Sequence, residues 1–232
     1  YAFSDFHLSG DPPTKPMDIF GENWKNHREK ILSAWKETIT AGDTVIMAGD
    51  ISWATHLEDA LSDLKTLSAL PGRKIIVRGN HDYWWNTVSK MKRMTDNAFE
   101  FIFNSALSVE NIALAGTRGW IPETSKKITE EDKVIILREQ GRLERSLIEA
   151  EKFNCEKIFA ILHYPPFDEQ RRPTKMMEIM KSHGVTDCIY GHIHGKQNFN
   201  NLPKELEGIQ LHLTSSDYLD FKPLLLIEWN ES

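Results

Sequence analysis

Cysteine is scarce: the 232 residues contain two, Cys155 and Cys188. Each lies beside or within an apolar run. That excludes a disulfide framework and reads as free thiols packed as small hydrophobes in a reducing compartment, expected to be the cytoplasm. Long apolar runs are lacking as well, so no membrane span is expected, and no secretion signal is visible. Positive charge is in deficit, with 28 Lys and Arg against 34 Asp and Glu and a formal net charge of -6. A broad nucleic-acid surface needs a basic face and is therefore not expected, although a metal pocket still attracts phosphate locally. No internal repeat, low-complexity tract or linker interrupts the chain, and residues 1–232 are expected to form one domain. Tyr1 stands in place of a methionine while the first strand is already under way, so a few residues are expected to be missing before it.

What the chain has is an ordinary globular composition, 40% hydrophobic and 27% charged. Short runs around Ala2 and Phe3, Val45 to Ala48, Ile75 to Val77, Ile158 to Leu162 and Cys188 to Tyr190 are β-branched, aliphatic or aromatic, as buried strands are. Trp24, Ile31, Leu32, Trp35 and Ile39 recur at helical spacing before Gly42, and Leu57, Ala60, Leu61, Leu64 and Leu67 do so before Pro71 and Gly72. Alternation of strand and helix from Ala2 to Val77 predicts parallel strands with right-handed crossovers, an α/β fold. Beyond Trp85, the runs Phe101 to Phe103, Leu107 to Val109 and Ile112 to Ala115, with a turn at Glu110 and Asn111, predict the start of a second sheet. Val134, Leu137, Leu143, Leu147 and Ala150 predict a helix over the charged segment 130–153. Met176, Met177, Ile179 and Met180 predict another, ending near His183 and Gly184, and Ile209 to Thr214 and Leu224 to Trp229 read as closing strands.

Each of the first set of runs is followed by an oxygen or imidazole ligand: Asp5 and His7, Asp50 after Gly49, Asn80 after Gly79, His163, and His192 and His194 between Gly191 and Gly195. In open α/β sheets the carboxyl ends of the strands form the rim at which ligands bind. The topology thus collects these side chains onto one edge, as a dispersed two-metal site. The i, i+2 spacing of Asp5 with His7, and of His192 with His194, points each pair to one side of an extended chain. Gly49 lets the backbone turn sharply beside a metal, and the two oxygens of Asp50 suit it to bridge two ions. Asn80 adds a neutral amide oxygen that keeps the ions Lewis acidic. Any one of these histidines alone would read as a satisfied core or surface residue; their joint placement argues for a site. His27, His56, His183 and His212 read as non-functional. The methionine cluster reads as core, as do Trp53, Trp84, Trp85 and Trp120, for which stacking a flat leaving group is the second reading. Arg118, in the loop Gly116 to Trp120, is a candidate to grip phosphate bidentately, and equally an exposed loop arginine. Arg171, Arg172 and the segment Ser215 to Asp220 border the site without a spacing that demands a role.

In this order, Asp5-Phe6-His7, Gly49-Asp50, Gly79-Asn80-His81-Asp82, His163 and Gly191-His192-Ile193-His194 resemble the calcineurin-like metallophosphoesterases, over most of the chain. The stretches Asn80 to Trp85, Gly116 to Trp120 and Ser215 to Pro223 resemble a bacterial branch of predicted phosphohydrolases. Ile51-Ser52-Trp53-Ala54, after Gly49-Asp50, lacks the Asp-Arg-Gly that the superfamily's phosphoprotein phosphatases carry, which argues against a protein phosphatase. The resemblance implies a four-layer α/β/β/α sandwich with a dinuclear centre. One divalent metal ion would be held by Asp5, His7, Asp50 and His194, and a second by Asp50, Asn80, His163 and His192, with Mn, Fe and Zn among the candidates.

The activity it implies is hydrolysis of a small phosphomonoester or phosphodiester. Two cations about 3.5–4 Å apart would lower the pKa of a shared water, and the bridging hydroxide would attack phosphorus in line. His81, beside a ligand but not itself one, would stabilise the transition state or protonate the leaving oxygen, with Asp82 orienting its ring. The other reading of Asp82 is a turn residue capping local backbone. Two readings lie outside hydrolysis: a metal-containing interaction module that has lost activity, and a dinuclear oxygen-activating redox centre. A full set of motif positions favours an enzyme, and the amide ligand Asn80 favours phosphoryl transfer. The expected partner is a small phosphorylated substrate; oligomeric state is left open.

Overall fold

The structure is a computed structural model that describes residues 1–229. The short aliphatic runs become parallel strands. β1 (Thr44–Met47), β2 (Arg73–Ile76) and β3 (Glu100–Phe101) form a three-stranded parallel sheet in that order. A six-stranded sheet is built from β4 (Ala106–Val109), β5 (Ile112–Thr117), β6 (Lys157–Leu162), β7 (Asp187–Tyr190), β8 (Glu205–Leu206) and β9 (Ile209–Leu213), in the order β4-β5-β6-β7-β9-β8. Its inner strands are parallel, while β4 and β8 pair antiparallel at the edges. The helices are α1 (His27–Thr38), α2 (Leu57–Ser68), α3 (Val88–Met94), α4 (Glu130–Glu151) and α5 (Lys175–Ser182).

Side-chain alternation along the strands sorts the apolar residues into layers. Val45, Met47 and Ile76 pack with Ile31, Trp35, Leu57, Leu64 and Leu67 of α1 and α2. The intervening Ile46 and Ile75 face the other way and meet Leu114, Phe159, Ile161 and Ile189 between the sheets. Ala113, Ala115, Ala160 and Leu162, on the far face of the second sheet, pack under Leu143, Leu147, Met177 and Met180 of α4 and α5. Helices, sheet, sheet, helices is the four-layer α/β/β/α sandwich. Strands with apolar neighbours on both faces need near-continuous hydrophobic runs, which is why β6 reads Lys-Ile-Phe-Ala-Ile-Leu. α4 starts at a capping box, where Thr129 Oγ1 accepts the Asp132 N–H at 3.1 Å and Asp132 accepts the Thr129 N–H at 2.9 Å. Both cysteines are free, Cys188 buried in β7 and Cys155 partly exposed.

Several expectations are corrected. Phe101 belongs to β3, the edge of the first sheet, so the second sheet begins only at β4. Trp24 sits in a 3₁₀ turn before α1, and the apolar face of α4 is Ile136, Leu143, Leu147 and Ala150, leaving Val134 and Leu137 exposed. The first segment makes isolated bridges rather than a full strand: Ala2 with Ile46 and Leu224, and Ser4 with Ser215. Through them it laces the two sheets together, and among the described residues Leu224 is the one residue of the expected last strand that pairs.

A buried carboxyl also joins the loop at Gly10 to α2. Asp63 Oδ1 accepts the Gly10 N–H at 2.9 Å and Oδ2 accepts the Ser52 hydroxyl at 2.6 Å. Burial raises its pKa against these two bonds. A carboxyl raised in the folded state stabilises fully below its ordinary pKa and loses that contribution as pH climbs through the raised value. Asp63→Asn keeps the shape without the charge, so urea denaturation should find it at least as stable as wild type at pH 7, with the difference shrinking towards pH 4. Asp63→Ala, which orphans both donors, should lose about 1–3 kcal/mol at either pH.

Candidate metal centre

The ligand candidates occupy the carboxyl-terminal rim, as strand order requires. Asp50 follows β1, Asn80 follows β2, His163 follows β6, and His192 and His194 follow β7. The chain does not reach the centre in extended form. Asp5, His7, Asp50 and His192 have φ of 58°, 48°, 55° and 71°, a left-handed conformation that costs such residues on the order of 1–3 kcal/mol each and recurs at functional sites. The convergence of Asp5 with His7 therefore comes from a turned backbone, not from the i, i+2 rule of a strand. Gly49 shows why a side chain is excluded: a Cβ there would lie 2.5 Å from the Gly79 nitrogen and 2.6 Å from its Cα.

Two neighbouring clusters result. Asp5, His7 and His194 bring ligand atoms within 4.8 Å of one another, as do Asp5, Asp50 and His163. His194 Nε2 lies 3.2 Å from Asp5 Oδ1 and 3.4 Å from His7 Nε2. His163 Nε2 lies 3.4 Å from Asp50 Oδ2 and 2.6 Å from Asn80 Oδ1, which is 3.0 Å from His192 Nδ1. Two of the rings are aimed by their outer nitrogens. His163 Nδ1 is bonded to the Ala48 carbonyl at 2.9 Å, and His194 Nδ1 to Asp217 Oδ1 at 2.8 Å. With Nδ1–H donating outward, each turns its Nε2 lone pair into the cluster, the arrangement by which outer hydrogen bonds orient metal-binding imidazoles.

These atoms fit divalent cations. With Nδ1 carrying its proton, the His163 Nε2 lone pair faces the Asn80 amide oxygen at 2.6 Å, an arrangement satisfied either by a proton on Nε2 or by a cation that takes both as ligands. Proton affinities report the same demand. Burial disfavours charge on His163 and His194, but Asp50 and Asp5 outweigh it for the first, and Asp5 and Asp217 for the second, moving them up to about 9 and about 10. For His7 and His192 burial prevails, and they fall to about 4 and about 3, leaving neutral rings. Burial would raise Asp5 and Asp50, yet the surrounding rings hold both carboxylates below their ordinary range. An all-oxygen and nitrogen donor set suits Mn, Fe or Zn.

His81 sits at the mouth of the centre. Its N–H donates to Asp50 Oδ1 at 2.8 Å, its ring lies 4.3 Å from that of Trp53, and burial lowers its pKa. Asp82 does not orient it. The Asp82 carboxylate is fully buried and accepts the N–H groups of Asp50 at 2.9 Å, Ile51 at 2.8 Å, Ser52 at 3.3 Å and Gly79 at 2.8 Å, together with the Trp84 indole at 2.9 Å. Its capacity is spent on the backbone that carries Asp50 and Asn80, which corresponds to the capping alternative. Arg118 is drawn away as well: its guanidinium lies 3.3 Å from the buried Glu139 and 4.3 Å over the Trp120 ring, because a carboxylate buried in α4 needs cationic partners. Asp217 is the residue that sequence spacing did not single out. Besides His194, it accepts the Gly195 N–H at 2.9 Å.

Asp217→Ala should weaken Mn²⁺ binding about 10–100-fold by releasing the His194 ring, as titration calorimetry of the metal-stripped protein would measure. Asp217→Asn, retaining an acceptor oxygen, should lose less. Unchanged affinity in both would show that His194 is held by other contacts.

No curated protein matches the chain. Among solved structures, a protein of unknown function from Aquifex aeolicus, AQ665, is 18% identical, with TM-score 0.53 over 97% of this chain and 93% of that one. The phosphopantetheinyl hydrolase PptH of Mycobacterium tuberculosis is 14% identical, with TM-score 0.52 over 92% and 87%. TT1561 of Thermus thermophilus is 13% identical, with TM-score 0.60 over 91% and 86%. At such identities these structures share the fold. The family model of the calcineurin-like phosphoesterases matches residues 1–196, a span that contains every ligand candidate named above, and the chain belongs to that family.

Proposed function

We propose that the protein hydrolyses a small phosphomonoester or phosphodiester with the help of two divalent cations. The observation that carries this is the convergence of inward-facing lone pairs from Asp5, His7, Asp50, Asn80, His163, His192 and His194 on one rim. The fold shared with a phosphopantetheinyl hydrolase supports a phosphate-bearing small molecule as substrate. Cations held there would supply Lewis acidity, lowering the pKa of a water and neutralising charge on the phosphoryl oxygens.

The chain's own residues do the rest. Ser4 Oγ donates to Asp5 Oδ2 at 2.5 Å and the His192 N–H approaches Asp5 Oδ1 at 3.1 Å, which fixes that carboxylate before any ligand arrives. Neither ring nitrogen of His81 has a hydrogen-bond partner among the described residues, while its backbone is pinned to Asp50. Neutral at physiological pH, it offers an N–H to a phosphoryl or leaving oxygen. The excess of Asp and Glu over Lys and Arg argues against a broad basic surface, so we extend the proposal to a substrate that is not a polynucleotide. Two free thiols fit a reducing cytoplasm, and no helix among the described residues is long and apolar enough to cross a membrane.

Metal-stripped protein reloaded with Mn²⁺ should cleave p-nitrophenyl phosphate or bis(p-nitrophenyl) phosphate, and Asp50→Asn should abolish cleavage. Two bound ions without turnover of either ester, under Mn²⁺, Fe²⁺, Zn²⁺ or Ni²⁺, would favour the non-catalytic module instead.

His81→Ala should lower kcat about 10²–10⁴-fold, with Mn²⁺ affinity close to wild type. Alkyl esters, whose leaving oxygen needs more help, should suffer more than p-nitrophenyl esters. Equal losses of metal affinity and turnover would make His81 a structural part of the centre.

A further inference from the structure

A cavity of about 620 Å³ opens beside His7, His81 and His194, far more room than a phosphoryl group fills. Its wall is apolar and comes mostly from the segment between His7 and α1: Met17, Phe20 and Trp24, joined by Trp53 from the loop after Asp50. Trp53 touches the metal centre directly, its ring 4.9 Å from that of His7 and nearly parallel to it. Among the described residues its indole N–H meets only Met17 Sδ, at 3.3 Å, a weak acceptor that a ligand oxygen or nitrogen would replace to advantage. Lys15, an exposed side chain, holds its ammonium 5.1 Å from the Trp53 ring centroid, where the cation covers a π-face and is free to withdraw. Phe20 is 64% exposed, an apolar side chain left in water at the entrance.

The rim differs from the wall. Asn23, Lys196 and Gln197 present amide and ammonium groups, and Glu22 a carboxylate, to the same space. These groups are exposed and keep water as a partner when only the wall is covered, so an acyl chain would use the wall alone, whereas a flat ring with hydrogen-bonding edges would engage both wall and rim.

We propose that this cavity is the leaving-group subsite, and that the alcohol of the natural ester carries a heteroaromatic ring, as a nucleoside-like group does. The proposal rests on the phosphoesterase reading, since it is the reacting phosphorus at the metal rim that places the alcohol in the cavity. The ring lies among Trp53, Trp24 and Phe20, and its polar edge meets the Trp53 N–H and the rim.

The test compares adenosine 5′-monophosphate with ribose 5-phosphate, which share a phosphorylated primary alcohol and differ by the base. Binding to the Mn²⁺-loaded full chain is read by calorimetry with the uncleavable methylenephosphonate analogues, and kcat/KM with the esters themselves. The adenine analogue should bind about tenfold tighter, the scale of one base stacked on one indole. Trp53→Ala should bring that ratio close to one, and Phe20→Ala, at an exposed position where folding is not at risk, should lower it too. A ratio near one in the wild type, or tighter binding of n-octyl phosphonate than of the adenine analogue, would overturn the subsite. Turnover of both esters at equal kcat/KM would do the same and leave the phosphoesterase standing. An adenine preference in binding, lost in Trp53→Ala, with neither these monoesters nor p-nitrophenyl phosphate and bis(p-nitrophenyl) phosphate hydrolysed, would overturn the phosphoesterase and with it the leaving-group role, leaving a ring-binding site alone.

Discussion

Asp82 carries the part of the structure on which the centre depends. Its carboxylate collects backbone N–H groups from Asp50, Ile51 and Ser52 on one loop and from Gly79 on another. Those loops follow neighbouring parallel strands and bring Asp50 and Asn80 to the same point. Their backbones pass so closely that no Cβ fits at Gly49. Without an internal acceptor, each buried N–H would forfeit about 1–3 kcal/mol, and the loops would separate to reach water. The cost of the arrangement is visible in Asp82 itself: burial and the nearby Asp50 push its pKa up to about 6 against all those donors.

A second tie crosses between the sheets. His163 ends a strand of the six-stranded sheet, yet its Nδ1 is bonded to the carbonyl of Ala48 at the end of the three-stranded one. The opening residues tie the sheets in the same region, where Phe3 donates to Ile46 and Ser4 to the Thr214 carbonyl, each at 2.9 Å. The centre therefore sits on the seam, and the turned backbones of Asp5, His7, Asp50 and His192 persist because both sides of the seam hold them. Buried carboxylates and imidazoles there offset one another only partly, so the region is poised to gain stability from added positive charge rather than from tighter apolar packing.

Much of this was legible in the sequence because two periodicities carried it. Apolar runs of strand length located the inner strands, and the rule that ligands gather at strand carboxyl ends located Asp5, Asp50, Asn80, His163, His192 and His194. What stayed hidden depends on which donor a side chain finds in three dimensions. Asp82, next to His81 in sequence, turns inward to backbone groups rather than to its neighbour's ring. Asp217 lies in a segment with no periodicity and acts through a ring 23 residues away. Arg118 stands in a loop whose backbone carbonyl receives the His163 N–H at 3.0 Å, so it is close to the centre. Its guanidinium nevertheless turns to Glu139, because a buried carboxylate attracts a cation more strongly than an open loop retains one. β3 was misplaced for a related reason: two paired residues give no pattern from which a sheet could be chosen.

The division between strand ends and connecting segments also separates chemistry from selection. Residues that hold charge at the rim are fixed by hydrogen bonds that run through the backbone of both sheets, so altering one disturbs several others. The cavity wall is different. Met17, Phe20 and Trp24 come from a stretch of short 3₁₀ turns, between the first ligands and α1, that packs on the centre without forming part of either sheet. The backbone hydrogen bonds of this stretch are local, as in the Gly21 N–H to Asp18 carbonyl bond, and Phe20 is exposed and free to change, whereas Met17 and Trp24 are buried in the core under α1 and α2. Two tryptophans belong to both regions: Trp53 packs on His7 and Trp24 lies edge-on to His7 and His194, while both line the cavity. Under the proposed subsite, a ring held in the cavity would bear on His7, His81 and His194 through these two indoles, so that the shape of the leaving group would be coupled to the positions of the candidate ligand side chains.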